Sequence, residues 1–503
     1  MNIAQHIEKA SQFLPDKTAL IFEDRAYTYQ QLDRLINRLS NGFKKKGIQK
    51  GDRVALFLPN IPEFIIAYAA ILKLGAIAVS LNVMLKSSET TYILNDCTAK
   101  AIITTEQLCE HISPADLPYL QHIFVAEAKA SKAVSIYQLI INASPEAKAI
   151  KMQPLDPAAI VYTSGTTGFP KGATLSHGNI ISNMYAQNRC CEMTAEDRLL
   201  LYVPLFHCFG QNAILNSGFN IGATIVLQGR FNLERILEAI AKEKITMFFG
   251  VPTVYIKLLN SNFCKSDLSS VRFYFSAAAS MPVEIARRWE RESGLKIYEG
   301  YGLTETSPCA CYNHPKKYKF GSIGTPIENV EMKIVDGDGK EVAPGRLGEI
   351  VVRGPNVMLG YWNRPLDNEK AIRNGWFHTG DIGRKDEDGY FYVVDRLKDM
   401  INVSGFKVYP AEVENAIYQH PAVAEVAVYG IPDPVKGEVV KANIILKPGY
   451  TLSEREAIAF CSEKIAAYKR PYSIEFVDSI PKNATGKVTK LVLRQKQASV
   501  LAC

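Results

Sequence analysis

No run of apolar residues in this sequence reaches the roughly 18 that a helix needs to cross a bilayer. The most apolar stretch, 64–85, is interrupted by Lys73 and flanked by Glu63 and Lys86, so a buried helix followed by a buried strand is expected there. The opening residues, Met1 to Lys9, lack the apolar segment of a signal peptide, which gives a cytoplasmic expectation. Excess charge is small: 58 Lys and Arg against 51 Asp and Glu leave +7, too little and too dispersed to indicate a nucleic-acid partner. The 10 cysteines lack metal or redox spacing. Cys190 and Cys191 are adjacent and Cys309 and Cys311 flank one residue, so free, mostly buried thiols in a reducing compartment are expected. Internal repeats, low-complexity tracts and long linkers are also missing, which excludes solenoid and tethered-domain architectures.

What is present is an alternation of strand and helix. At 503 residues the chain exceeds what one hydrophobic core holds, so two or more domains are expected. Continuous apolar strands fall at 53–58, 101–104, 159–162 and 224–227, with helices at 62–74 and 233–244. Strands apolar on both faces and separated by helices indicate largely parallel sheets in an α/β fold. From about Lys333 the pattern changes to short strands joined by Gly and Asp turns, a small β-barrel-like part. A new α+β unit follows Lys398, with helices at 410–419 and 453–467 and strands near 423–429 and 439–446. The expected division is therefore a large domain over 1–397 and a small one over 398–503, joined by a short charged hinge.

The strongest local signal is Tyr162-Thr163-Ser164-Gly165-Thr166-Thr167-Gly168-Phe169-Pro170-Lys171-Gly172. A buried strand feeds a loop whose small residues let backbone N–H groups approach phosphate oxygens, while Lys171 adds positive charge. It is not a Walker loop: Pro170 stands before the Lys and Gly172 follows it, where that motif needs Gly and then Ser or Thr. The run resembles the phosphate loop of the acyl-adenylate-forming superfamily, which contains acyl-CoA synthetases, nonribosomal-peptide adenylation domains and firefly-type luciferases. Nearly the whole chain carries that family's motifs in the family's order, and it is most similar to bacterial fatty-acid:CoA ligases.

The resemblance implies roles for further residues. Thr163, Ser164, Gly165, Thr166, Thr167, Gly168 and Lys171 would bind the phosphates of ATP. In Tyr301-Gly302-Leu303-Thr304-Glu305, Tyr301 would stack on adenine, Thr304 would touch the α-phosphate and Glu305 would hold Mg²⁺. A hard carboxylate suits that ion. The Ser276-Ala277-Ala278-Ala279 stretch would line the adenine and acyl pocket through Ala278 and Ala279, with Ala277 where the family commonly has Gly. Asp381, in His378-Thr379-Gly380-Asp381, and Arg396 would take the ribose, and Lys398 matches the hinge position. Lys487, in Pro481-Lys482-Asn483-Ala484-Thr485-Gly486-Lys487, aligns with the catalytic lysine that stabilises charge at the α-phosphate. Ser404, Gly405 and Lys407 resemble the segment that lines the pantetheine tunnel once the small domain turns.

His207, in Pro204-Leu205-Phe206-His207-Cys208-Phe209-Gly210, would sit beside the substrate carboxylate as a positioning or gating group rather than a base. The stretch 205–211 has no Asp to hold an amino-acid ammonium, so an uncharged hydrophobic acid is expected. The implied reaction is AMP-forming ligation of a medium- or long-chain fatty acid to CoA, with ATP as co-substrate. An acyl carrier protein's phosphopantetheine as acceptor, an aryl acid as substrate, a luciferase-type oxygenase and a homodimeric assembly are left open. The chain ends Leu501-Ala502-Cys503 and not in a peroxisomal Ser-Lys-Leu, which counts slightly against the oxygenase.

Overall fold

The computed structural model describes residues 1–128, 133–163, 170–261, 268–483 and 486–501. Two large sheets carry most of the chain. An eight-stranded sheet runs in the order Gly360–Tyr361, Lys171–Ser176, Pro157–Thr163, Ile77–Ser80, Arg53–Leu56, Ala101–Thr104, His122–Val125, Val134–Ser135. A nine-stranded sheet runs Thr325–Pro326, Cys309–Tyr312, Ile297–Gly302, Phe273–Ser276, Met247–Gly250, Arg198–Leu201, Thr224–Leu227, Thr18–Phe22, Arg25–Thr28. Neighbours are parallel except at one end of the eight-stranded sheet and both ends of the nine-stranded sheet, where the added strands run antiparallel. The central parallel strands, such as Ile77–Ser80, Ala101–Thr104, Thr224–Leu227 and Met247–Gly250, are buried along their length, as their apolar runs require.

The helix Pro62–Lys73 shows how composition sets placement. Every one of its residues is buried, which a largely apolar surface permits. Glu63 and Lys73 are the exceptions in kind: Glu63 accepts the Tyr137 hydroxyl, and the Lys73 ammonium is satisfied by Glu8 at 2.8 Å and Asp33 at 3.1 Å. The expected buried strand follows as Ile77–Ser80.

Beyond residue 330 the strands Glu331–Val335, Gly348–Arg353, Trp376–Lys385 and Phe391–Arg396 form an antiparallel sheet that also takes in Ile372–Arg373. Residues from Ile401 onward pack a separate small core on a sheet of Phe406–Val408, Ile401–Val403, Gly437–Leu446, Val423–Asp433 and Ser473–Phe476. The helices Pro410–Tyr418 and Glu454–Ser462 add Val413, Ile417, Ala457 and Cys461 to that core, and Leu493 of Lys490–Leu501 joins a second cluster with Tyr429 and Ile431. The helix expected over 453–467 stops at Ser462. Lys464 and Ile465 both donate to the carbonyl of Cys461, a tightening that turns Ile465 onto the small core.

Candidate active site

The carboxyl ends of parallel strands are where an open α/β sheet leaves a crevice. Four strands of the nine-stranded sheet, Arg198–Leu201, Met247–Gly250, Phe273–Ser276 and Ile297–Gly302, run parallel through consecutive pairings. Their ends feed the segments holding His207, Thr253, Ala278 and Thr304. Residues far apart in sequence therefore meet on one rim.

At one end of this rim, the Tyr301 hydroxyl donates to Asp381 Oδ2 at 2.7 Å, and Arg396 Nε meets Asp381 Oδ1 at 3.2 Å. Burial first, and the neighbouring Asp381 charge second, keep the Tyr301 phenol far from ionising. Asp381 is held in place from behind. Thr379 Oγ1 accepts its N–H at 3.1 Å, while Glu349 accepts the Gly380 N–H at 2.9 Å and pairs with His378 at 2.7 Å. Tyr301, Asp381 and Arg396, three sequence-predicted residues, thus form one connected group.

Glu305 is 8% exposed and accepts the Tyr361 hydroxyl at 2.8 Å. Burial raises its carboxyl above the usual carboxylate range, and the Tyr361 bond works in the opposite direction. Beside it, Thr304 Oγ1 lies 3.4 Å from the Cys208 thiol. Ala278 has φ +69°, a left-handed conformation that a residue with a Cβ rarely adopts and that marks a strained turn at the rim. Ala279 follows it, partly exposed. Glu299, outside the sequence expectation, accepts the N–H of Met281 on this same rim. Burial pushes its carboxyl up to about 8.

Thr163 and Lys171 face each other as a register pair where the phosphate loop leaves and re-enters the eight-stranded sheet. Ser164, Gly165, Thr166, Thr167 and Gly168 lie outside the described residues. Lys171 Nζ pairs with Asp367 at 2.6 Å and sits 5.5 Å from the centre of the Tyr361 ring.

His207 is half-buried, and its Nδ1 accepts the Phe209 N–H at 3.1 Å. Its pKa is lowered to about 4, mainly by burial and further by the Lys487 charge, so the ring is neutral at physiological pH. The small domain thus presents Lys487 to the rim. Behind His207 the Phe275 ring packs on Phe209 at 6.1 Å and stacks on Tyr312 at 4.8 Å. A Cβ at Gly300 would lie 2.1 Å from Phe275 Cζ, so this glycine makes room for the ring.

Four predicted residues are not at the rim. Ser404 and Gly405, at φ +51° and +87°, form the two-residue turn between Ile401–Val403 and Phe406–Val408, and with Lys407 they face solvent. Lys398 lies in the turn Leu397–Asp399, and its side chain is outside the description.

Tyr361, Asp367 and Glu299 were missed from sequence. Tyr361 follows Gly360 in an unremarkable Gly-Tyr-Trp run, and Asp367 opens an ordinary Pro-capped helix. Only Glu299 carried a signal, an acidic side chain two residues before Tyr301 in a strand with no other charge.

Among the described residues, no group of three or more His, Cys, Asp or Glu side chains could hold a metal ion by itself. A single buried carboxylate still suits Mg²⁺, which keeps waters and takes phosphate oxygens for its remaining ligands. Glu305 fits that role.

A family model described as AMP-binding enzyme matches residues 7–362, and one described as AMP-binding enzyme C-terminal domain matches 412–487. A long-chain-fatty-acid–CoA ligase of Bacillus subtilis is 36% identical over 97% of this chain and 93% of its own length. A feruloyl-CoA synthase of Amycolatopsis is also 36% identical, over 97% of both chains. The crystal structure of an anthranilate CoA ligase in complex with anthranoyl-AMP superposes with a TM-score of 0.94 at 34% identity, covering 100% of this chain and 98% of that one.

Proposed function

The chain belongs to the AMP-binding enzyme family as an AMP-forming acid–thiol ligase, and from that premise we propose that it joins an uncharged, medium- or long-chain fatty acid to CoA. The observation that carries the substrate class is the wall at His207. A neutral, half-buried imidazole stands next to a core of packed rings, Phe209 on Phe275, and the stretch 205–216 contains no carboxylate to hold a substrate ammonium.

In the first half-reaction an oxygen of the acid's carboxylate attacks the α-phosphorus of ATP, giving the acyl-adenylate and releasing pyrophosphate. Lys487 supplies positive charge where negative charge develops at the α-phosphate, and Lys171 does so for the outer phosphates. Glu305 would hold Mg²⁺, which when bound neutralises the leaving pyrophosphate. Asp381 and Arg396 take the ribose, Tyr301 flanks the adenine, and Thr304 approaches the α-phosphate. His207 orients the carboxylate without taking its proton. In the second half-reaction the CoA sulfur attacks the acyl carbon and AMP leaves. The Ser404-Gly405 turn, now at the surface, reaches the site only after the small domain rotates about the Lys398 region.

A second reading, an aryl acid, is favoured by the likeness to a feruloyl-CoA synthase and an anthranilate CoA ligase, which match over nearly the whole chain at 36% and 34% identity. Pyrophosphate release measured across fatty, aryl and amino acids, with CoA and with an acyl carrier protein as acceptors, separates these readings. Release with fatty acids and thioester formation with CoA is the expected result. Robust release with an amino acid would overturn it.

A further inference from the structure

The segment 358–368 touches both ends of the triphosphate half of the rim. Its Met358 N–H donates to the Glu305 carbonyl at 2.8 Å. Gly360–Tyr361 then pairs antiparallel with the strand that starts at Lys171, with Leu359 N–H on Thr174 at 2.9 Å and Trp362 N–H on Gly172 at 2.7 Å. Asn368 clasps Tyr361 on both backbone groups, accepting its N–H at 2.6 Å and donating to its carbonyl at 3.1 Å. Arg364 anchors the segment to the helix Ser87–Asp96, bonding Asp96 Oδ1 and the Tyr92 hydroxyl, each at 2.7 Å.

Tyr361 leaves this fixed backbone with two partners. Its hydroxyl donates to Glu305 at 2.8 Å, and its ring lies 5.5 Å from the Lys171 ammonium. Asp367, six residues on, pairs with that same ammonium. One phenol therefore spans the carboxylate assigned to Mg²⁺ and the lysine assigned to the outer phosphates. We propose that Tyr361 is a positioning residue that sets Glu305 and Lys171 at the separation required by a Mg²⁺–triphosphate. This rests on the ligase reading for the identity of the ligand, but the bonds it uses are those above. The geometric reason is rotamer control: a carboxylate free to turn about its terminal torsion meets a metal poorly, and a fixed hydroxyl donor removes that freedom.

The test uses Tyr361→Phe in the full chain, which keeps the ring under Lys171 and deletes the hydroxyl. Two readouts separate positioning from folding: the Mg²⁺ concentration for half-maximal ATP–pyrophosphate exchange, and Mn²⁺ binding in the presence of ATP, followed by electron paramagnetic resonance without any acid. Loss of an outer partner of a metal ligand typically weakens metal binding by about 10–100-fold, so shifts of that order are expected in both, with turnover recovering at saturating Mg²⁺. Asp367→Asn, which removes the carboxylate paired with the lysine, should raise KM for ATP and leave the Mg²⁺ curve in place. Unchanged Mg²⁺ and Mn²⁺ curves in a folded Tyr361→Phe protein would overturn the inference. So would a lower turnover with normal Mn²⁺ binding, which marks a structural role. Absence of exchange in the wild-type chain with every acid would instead defeat the ligase reading, because Mn²⁺ binding with ATP is scored independently.

Discussion

The hydroxyl of Thr253 donates to the carbonyl of Gly486 at 3.4 Å, fastening the residue before Lys487 to the rim of the nine-stranded sheet. In this pose, the one the proposed adenylation step requires, Lys487 is close enough to His207 to lower its pKa. Lys487→Ala should abolish acyl-adenylate formation. Removing one electrostatic group aimed at developing charge costs about 10²–10³ in rate, on the order of 3–4 kcal/mol. Thioester formation from pre-made acyl-adenylate should survive, because that step loses AMP and involves no pyrophosphate. Single-turnover assays of each step check this; an equal fall in both in a folded variant makes Lys487 structural.

The hinge gives the converse separation. Asp395 Oδ2 accepts the Ala411 N–H at 2.8 Å across the turn that holds Lys398, a bond a large rotation there must break. Proline fixes φ near roughly −65° and obstructs such a change. Lys398→Pro is expected to keep much of the adenylation rate while thioester formation drops by orders of magnitude. Rapid-quench measurement of the two steps, with circular dichroism to confirm folding, decides it. Small and equal effects would put the swivel elsewhere.

His207 makes a prediction about pH. With a folded pKa of about 4 against an ordinary 6.5, the ring stays neutral across the working range and contributes no inflection near pH 6.5 to the rate profile. Its folded pKa is depressed, so its contribution to stability is present above 6.5 and is lost as pH falls through 4. In Lys487→Ala the pKa should rise only partway, since burial is the larger cause. Titration of the His207 ring signals by NMR would show this, and a return to 6.5 would mean that Lys487, not burial, dominates.

Glu299 predicts a slope of the other sign. Its folded pKa of about 8 lies above the ordinary 4.5, so the native state binds a proton that the unfolded chain has released. Stability from this group is full below 4.5 and falls as pH rises to 8. Glu299→Gln should flatten that part of the curve and raise the alkaline Tm relative to wild type. Thermal melts between these limits measure it; parallel curves for both proteins would show that the carboxyl is not neutral in the fold.

Much of the fold was readable because apolar periodicity is a local property. The helix expected at 62–74 appears as Pro62–Lys73, and the strands at 101–104 and 224–227 appear with those bounds. The helix over 453–467 was overextended: after Ser462 the Lys464 and Ile465 N–H groups share the Cys461 carbonyl and Ile465 packs on the small core, and no local signal announces that. At the rim, Tyr301 and Asp381 could be named from their motifs, but the bond between them could not: they are 80 residues apart. The partners of Glu305 and Lys171 were invisible for the same reason. Tyr361 reaches Glu305 only because Gly360–Tyr361 adds to the edge of the eight-stranded sheet in one register.

The amino-acid sequence alone determined the alternation of strand and helix and the order of the nucleotide segments, because hydrophobic period and the need for small residues near phosphate act over a few neighbours. Tertiary structure decided which side chains those segments meet: Asp381 against Tyr301, Tyr361 against Glu305, Asp367 against Lys171. It also decided the pose, with Lys487 turned toward His207 and the Ser404-Gly405 turn toward solvent. The physical reason is that a pose is fixed by contacts between residues far apart in sequence, such as Thr253 with Gly486, which no local pattern encodes.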